Sequence, residues 1–264
     1  MLHHGQVKPA RNILRSLAAG PAASPEILAL LAETYLRDEE SDAEDQGECR
    51  SSLLRAVQLA PNFGRAFRDL ARLSNNKENY KQALQYASQA IEVQKPDYSA
   101  LRERAIANDK LSHGKEALCE INNFMAHCPH GPRDYIIKGG VLENMNLLDD
   151  ALLAYRESQK LEYQDATCNQ IIAILERQHK YDQVVKATGS LIKANPDDPQ
   201  AYEVRARAEQ NIKDYKGAVA DLSKAISLEP SAALYKARAL AYTSLGQKQA
   251  AQADLKKAVD LGGG

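Results

Sequence analysis

The sequence of 264 residues contains no tryptophan, and aromatic residues make up only 6% of it. Its longest uninterrupted apolar run, Ile27 to Ala32, is far shorter than the roughly 20 residues of a membrane span. Lys and Arg (34) do not outnumber Asp and Glu (35), which argues against a nucleic-acid binder with a basic surface. The four cysteines form no CxxC pair, so we expect reduced thiols and, by default, a cytoplasmic location.

What the sequence does have is a repeat of mostly small residues. Seven of them, separated by 34, 34, 34, 33, 34 and 33 residues, are Cys49, Ala83, Ala117, Ala151, Val184, Ala218 and Ala251. Twelve residues before most of these lies a second small residue, at Ala71, Ala105, Gly139, Ala206 and Ala239. We call the seven residues the second-helix column and the other five the first-helix column. A register kept over so many copies indicates a tandem repeat.

The apolar residues of each unit are spaced by three and four, which is typical of amphipathic helices. Proline cannot continue a helix interior, and several units place one twelve residues after the second-helix column, at Pro61, Pro129, Pro196 and Pro230. No segment shows convincing alternation with a period of two. The sequence therefore predicts an all-α fold of tandem antiparallel helix pairs, whose small columns let the paired backbones approach closely.

This pattern resembles the tetratricopeptide repeat family. The residues that carry the resemblance are Tyr202, Ala206, Tyr215, Ala218, Leu222, Ala225, Leu228 and Pro230, then Tyr235, Ala239, Tyr242, Gly246, Ala251, Leu255 and Ala258. Ile172 and Val184 replace both small residues of one unit, so we expect its helices to lie wider apart or to repack. Tyr163, at the end of the preceding unit, stands where proline is expected. The resemblance implies a right-handed α-α superhelix, a solenoid, that binds peptides or partner segments in a concave groove lined by first helices.

We expect a single solenoid over residues 1–264. Its parts are a half repeat at 5–21 and repeats at 25–61, 64–96, 98–129, 132–163, 165–196, 199–230 and 232–263. Both ends look cut, because the half repeat lacks its first helix and no polar capping helix follows the last repeat. We therefore expect a portion of a longer repeat protein; the alternative is a natural chain that begins with a half repeat.

The first complete repeat contains an acidic insertion. Ala32 and Cys49 are 17 residues apart where twelve is usual, and residues 38–48 hold seven acids and no base. Like-charge repulsion predicts an extended, mobile loop, which could fold over the groove as a mimic of an acidic ligand. A solvated turn is the plainer interpretation, and the spacing does not fit an EF-hand calcium loop.

Family geometry places a set of polar residues on the groove. The predicted partner-binding residues are Arg65, Arg68, Arg72, Asn76, Arg102, Lys110, Asn144, Asn169, Arg177, Arg207 and Asn211. Four of these arginines fall on two neighbouring first helices, which favours an acidic peptide as ligand because arginine forks bind carboxylates in two-point fashion. The alternative is a solvated helix face, with Asp69 and Glu103 as nearby pairing partners.

Other functions find little support in the sequence. The lysine and asparagine clamp with which the family holds a terminal carboxylate is missing, and Cys119, His127, Cys128 and His130 do not converge as a zinc site would require. Cys49, Cys119 and Cys168 fall near core-facing positions. We expect no catalytic residue, metal or cofactor, and nucleic-acid binding is disfavoured. The main hypothesis is a non-catalytic scaffold or adaptor; the alternative is a regulatory or targeting segment of a larger enzyme.

Overall fold

The computed structural model describes residues 7–21, 23–38, 42–95 and 97–262. Within these ranges the backbone forms fifteen α-helices and no strand. The helices are α1 (Val7–Ala19), α2 (Pro25–Leu36), α3 (Ala43–Leu59), α4 (Gly64–Asn76), α5 (Tyr80–Val93), α6 (Tyr98–Lys110), α7 (Gly114–His127), α8 (Pro132–Asn144), α9 (Leu148–Leu161), α10 (Asp165–Arg177), α11 (Tyr181–Ala194), α12 (Pro199–Asn211), α13 (Tyr215–Leu228), α14 (Ala232–Ser244) and α15 (Lys248–Gly262). The all-α prediction is confirmed.

The chain divides into two compact units, residues 1–151 and 152–264. In the first unit α1 packs on α2, and the pairs α2 with α3, α4 with α5 and α6 with α7 pack side by side. In the second unit the packed pairs are α10 with α11, α12 with α13 and α14 with α15. The helices from α2 onward fall two by two inside the repeat ranges given above, which we keep as our proposal. The range ends at residues 5, 96 and 263 lie outside the described residues.

The same backbone turn joins the two helices of six repeats. One residue in each turn has a positive φ, at Glu78, Ser112, Asn146, His179, Lys213 and Gly246. The amide of the following residue then donates to a carbonyl five positions back, as from Asn79 to Ser74 at 2.9 Å. These bonds satisfy carbonyls that the helix end leaves open. The turns at Lys77–Asn79, Ser112–His113 and Lys213–Asp214 are of this kind.

The small columns lie where helices touch. The second-helix column is fully buried from Cys49 through Ala218, and Ala251 is 5% exposed. Ala71, Ala105 and Ala206 of the first-helix column are fully buried as well. In the repeat that departs from the pattern, the larger Ile172 and Val184 occupy the same buried positions, and α10 and α11 are in looser contact than α12 and α13. One interpretation of the cysteines is wrong: Cys49 and Cys168 are buried, but Cys119 is exposed.

The acidic insertion is not the loop that the sequence suggests. Glu44, Asp45 and Glu48 belong to α3, which begins at Ala43, while residues 39–41 lie outside the described part. Asp42 caps the helix by accepting from the Asp45 amide at 2.9 Å. Acids in the first turn of a helix are favourable because of the helix dipole.

Two arginines of α1 hold the insertion in place. Arg11, 6% exposed, pairs with Asp38 at 2.7 Å and Asp45 at 3.0 Å, and its guanidinium lies 4.2 Å from the centre of the Tyr35 ring. Arg15 pairs with Glu48 at 2.8 Å, and Glu48 also accepts from the Tyr35 hydroxyl. These bonds lower the pKa of Glu48. Asp38, Asp45 and Glu48 therefore pair with α1 and not with the arginine groove, while Glu39 and Glu40 lie outside the described residues.

Candidate functional site

Helix geometry brings the four arginines that the sequence singled out into one place. Arg65, Arg68 and Arg72 follow one another at three and four residues on α4, so they share a helix face, and Arg102 lies on the neighbouring first helix α6. Together they line a cavity of about 330 Å³. The other residues of its wall are Glu33, Asp69, Ser99 and Glu103. We call this cavity the arginine cavity.

Three of the four arginines already have carboxylate partners. The distances are 2.7 Å from Arg65 to Glu33, 3.7 Å from Arg65 to Asp69, 3.5 Å from Arg68 to Asp97, 3.3 Å from Arg102 to Glu103 and 3.5 Å from Arg102 to Asp134. The pairing that the sequence offered as an alternative to ligand binding is thus present. It also holds these guanidinium groups in defined orientations.

Arg72 differs from its neighbours. Its Nη2 donates to the carbonyl of Leu36 at 3.3 Å, and it forms no ion pair within the described ranges. Burial lowers its pKa, and the attraction of Glu103 only partly opposes this effect. A guanidinium carries five N–H donors, so Arg72 keeps donors available to an anion in the cavity.

Asp69 makes the charge of the arginine cavity dependent on pH. Its carboxyl group is buried beside Arg65 and Arg68. Burial raises the pKa of Asp69 to about 6, although the nearby arginines act in the opposite direction. Asp69 therefore takes up a proton between pH 7 and pH 5, and the cavity then becomes more positive.

The remaining predicted residues do not join this cavity. Asn76 is exposed at the end of α4. Lys110 and Asn144 line a second cavity of about 630 Å³, where the Asn144 amide donates to both carboxylate oxygens of Asp109 at 2.9 and 3.1 Å. In the second unit Asn169, Arg177, Arg207 and Asn211 are exposed. There Arg207 pairs with Glu176 at 2.7 Å, and Asn211 donates to the Arg207 carbonyl at 2.8 Å.

The sequence contains a second periodic feature that our reading of it missed. In three repeats an arginine directly before the first-helix column pairs with an acid sixteen residues later, on the second helix. The pairs are Arg104 with Glu120 at 2.6 Å, Arg205 with Asp221 at 2.6 and 2.7 Å, and Arg238 with Asp254 at 2.8 and 2.8 Å. The constant spacing of sixteen was visible in the sequence. These pairs join the two helices of one repeat, so their role is structural.

Among the residues described, no three His, Cys, Asp or Glu side chains are grouped so that they could hold a metal ion. None of the described helices is long and apolar enough to cross a membrane.

Comparison with known families decides what the repeats are. The family model of the tetratricopeptide repeat matches residues 199–231 and 232–261. Residues 199–261 therefore form two tetratricopeptide repeats. The two matched repeats are those that contain the Arg205–Asp221 and Arg238–Asp254 pairs. The other repeats share the register and the helix pairing of these two.

Several solved structures resemble this chain in fold. YrrB, described as a TPR protein with an unusual peptide-binding site, has a TM-score of 0.59 at 15% identity over 76% of this chain and 99% of its own. The C-terminal part of a TPR repeat-containing protein from Cytophaga hutchinsonii has a TM-score of 0.63 at 17% identity, over 74% of this chain and 78% of its own. The APC/C hetero-tetramer Cut9–Hcn1 has a TM-score of 0.61 at 15% identity, over 97% of this chain and 46% of the matched chain. A search of curated proteins finds no significant match.

Proposed function

We propose that this tetratricopeptide repeat protein is a non-catalytic scaffold that binds an acidic peptide segment of a partner protein at the arginine cavity. Repeat solenoids generally use extended surfaces to bind other proteins. The observation that carries the proposal is Arg72, which lies partly buried in the cavity wall without an ion pair in the described part of the chain. A buried cation without a carboxylate partner is unfavourable, and an anion from a ligand would relieve this cost.

The paired arginines around Arg72 support the same ligand. Glu33 and Asp97 hold Arg65 and Arg68 in place through bonds of 2.7 and 3.5 Å, so little side-chain freedom is lost when a ligand binds. A carboxylate of the peptide would accept from Arg72 and from the free edge of Arg68. The internal acids compete for these donors, so we expect modest affinity that falls as salt is added.

The test uses a fluorescein-labelled peptide of glutamates and a matched peptide of glutamines, with fluorescence anisotropy as the readout. Arg72→Gln should weaken binding of the glutamate peptide about tenfold, since a hydrogen bond to a charged group contributes about 1.5–3 kcal/mol. The control is Arg50→Gln, which removes one charge from the exposed face of α3 outside the cavity wall. Equal losses in both variants, or equal binding of the two peptides, would show that the cavity is not the site.

A further inference from the structure

A separate cavity lies in the second unit, bordered by α9, α10 and α11. Its volume is about 560 Å³, within the usual range of small-molecule pockets. Cys168, Ile171 and Leu175 of α10 form its floor, and all three are buried. Arg156 of α9 and Lys186 of α11 line its mouth and are exposed. We call it the α10 cavity.

The α10 cavity coincides with the repeat that departs from the family pattern. Here Ile172 and Val184 stand at the positions where other repeats have small residues, and α10 and α11 are in looser contact. Tyr163, which ends the preceding repeat in the place of the usual proline, is also part of the cavity wall. Larger side chains at the point of closest approach keep the helices from closing together, so the departure accounts for space that the regular pattern would fill.

Both charged residues that line this cavity are cations, and one carboxylate outside the lining, Asp165, hydrogen-bonds to Tyr163 in its wall. No carboxylate belongs to its described lining, whereas Arg156 and Lys186 both do. Arg156 donates to Gln183 at 2.8 Å, and Lys186 has no ion pair within the described residues. Burial raises the pKa values of Cys168 and Tyr163, so both groups are neutral at pH 7. The floor is thus uncharged and the mouth is cationic.

We infer that the α10 cavity binds a small amphipathic anion, with an apolar body against Cys168, Ile171 and Leu175 and one carboxylate or sulfonate held by Arg156 and Lys186. Burial of the apolar body supplies the driving force, and charge-assisted hydrogen bonds at the mouth orient the ligand. This site is distinct from the arginine cavity, which belongs to the first unit and has acids in its wall.

Two related dyes test the inference on the full chain. 1-Anilinonaphthalene-8-sulfonate has an apolar body and one sulfonate, and N-phenyl-1-naphthylamine has the same body without the charge. Fluorescence titration of the sulfonate should show one saturable site. The double variant Arg156→Gln/Lys186→Gln should weaken sulfonate binding at least about tenfold, the effect of 1.4 kcal/mol. Binding of the neutral dye should change less than about twofold, because its apolar contacts remain.

A second pair of variants tests the volume of the cavity. Ala187→Phe and Ser190→Phe place a ring in its wall and should abolish binding of both dyes. Ser190 is exposed, so that variant remains informative if Ala187→Phe fails to fold, as judged by circular dichroism.

The matched control is Lys224→Gln, an exposed lysine of α13 in the next repeat. This variant should bind the sulfonate as the parent does. The inference is overturned if binding does not saturate, if Ser190→Phe binds normally, or if Lys224→Gln loses as much affinity as the double variant.

Discussion

Arg11 and Arg15 offer a direct test of what burial does to an ion pair. Both lie on α1, one helical turn apart, and both pair with acids of the same insertion. The side chain of Arg11 is 7% exposed and donates to Thr34, Asp38 and Asp45, whereas that of Arg15 is 48% exposed. Removing one partner of a buried pair costs about 3–5 kcal/mol, while an exposed pair contributes about 0–1 kcal/mol.

We expect Arg11→Met to detach α1 from the first unit and Arg15→Met to leave it in place. Methionine keeps much of the apolar stem, so the change isolates the charge and its hydrogen bonds. If amide exchange follows local opening, a loss of 3 kcal/mol in the free energy of opening α1 corresponds to about 100-fold faster exchange. A loss of 1 kcal/mol corresponds to about fivefold faster exchange. Hydrogen exchange read by mass spectrometry on peptides from α1 and α3 measures both. Similar protection of α1 in the two variants would refute the argument that burial makes Arg11 the stronger contact.

Two further outcomes are expected from the columns and from the arginine cavity. Ala218→Leu should overpack the contact between α12 and α13 and destabilise it by about 1–3 kcal/mol, with faster exchange confined mainly to neighbouring repeats; an unchanged thermal melt would contradict this. Binding of the glutamate peptide should strengthen several-fold from pH 7.5 to pH 5.5, because Asp69, with its pKa of about 6, loses its negative charge in that window. Asp69→Asn should remove this dependence, and a variant that keeps it would assign the titration to another group.

The sequence by itself determined the repeat and its helices. A spacing of 33 or 34 residues, apolar residues at three and four, and regularly placed prolines are local signals, and each is repeated many times along the chain. Repetition removes the ambiguity that a single amphipathic segment would have. The burial of Ala83 and Ala218 followed for the same reason: a small residue at a constant place in each unit marks a close helix contact.

Only part of the arginine cavity could be predicted from the sequence. Helical periodicity on α4 and the family geometry placed Arg65, Arg68 and Arg72 on one side. Which of them has a carboxylate partner depends on residues up to 32 positions away, such as Glu33 for Arg65. Pairing over that distance depends on how first helices stack, and periodicity carries no information about it. The unpaired state of Arg72 within the described structure is therefore a tertiary property.

The acidic insertion shows most clearly what only tertiary structure decided. Counting charges between Asp38 and Glu48 predicted repulsion and an open loop, because the count included only neighbours in sequence. In the folded chain Arg11 and Arg15 lie 27 to 34 residues away along the chain yet within 3.0 Å of Asp38, Asp45 and Glu48. Charges of opposite sign brought together by packing outweigh like charges along the backbone, so Asp45 and Glu48 belong to a helix where the local sequence indicated a loop.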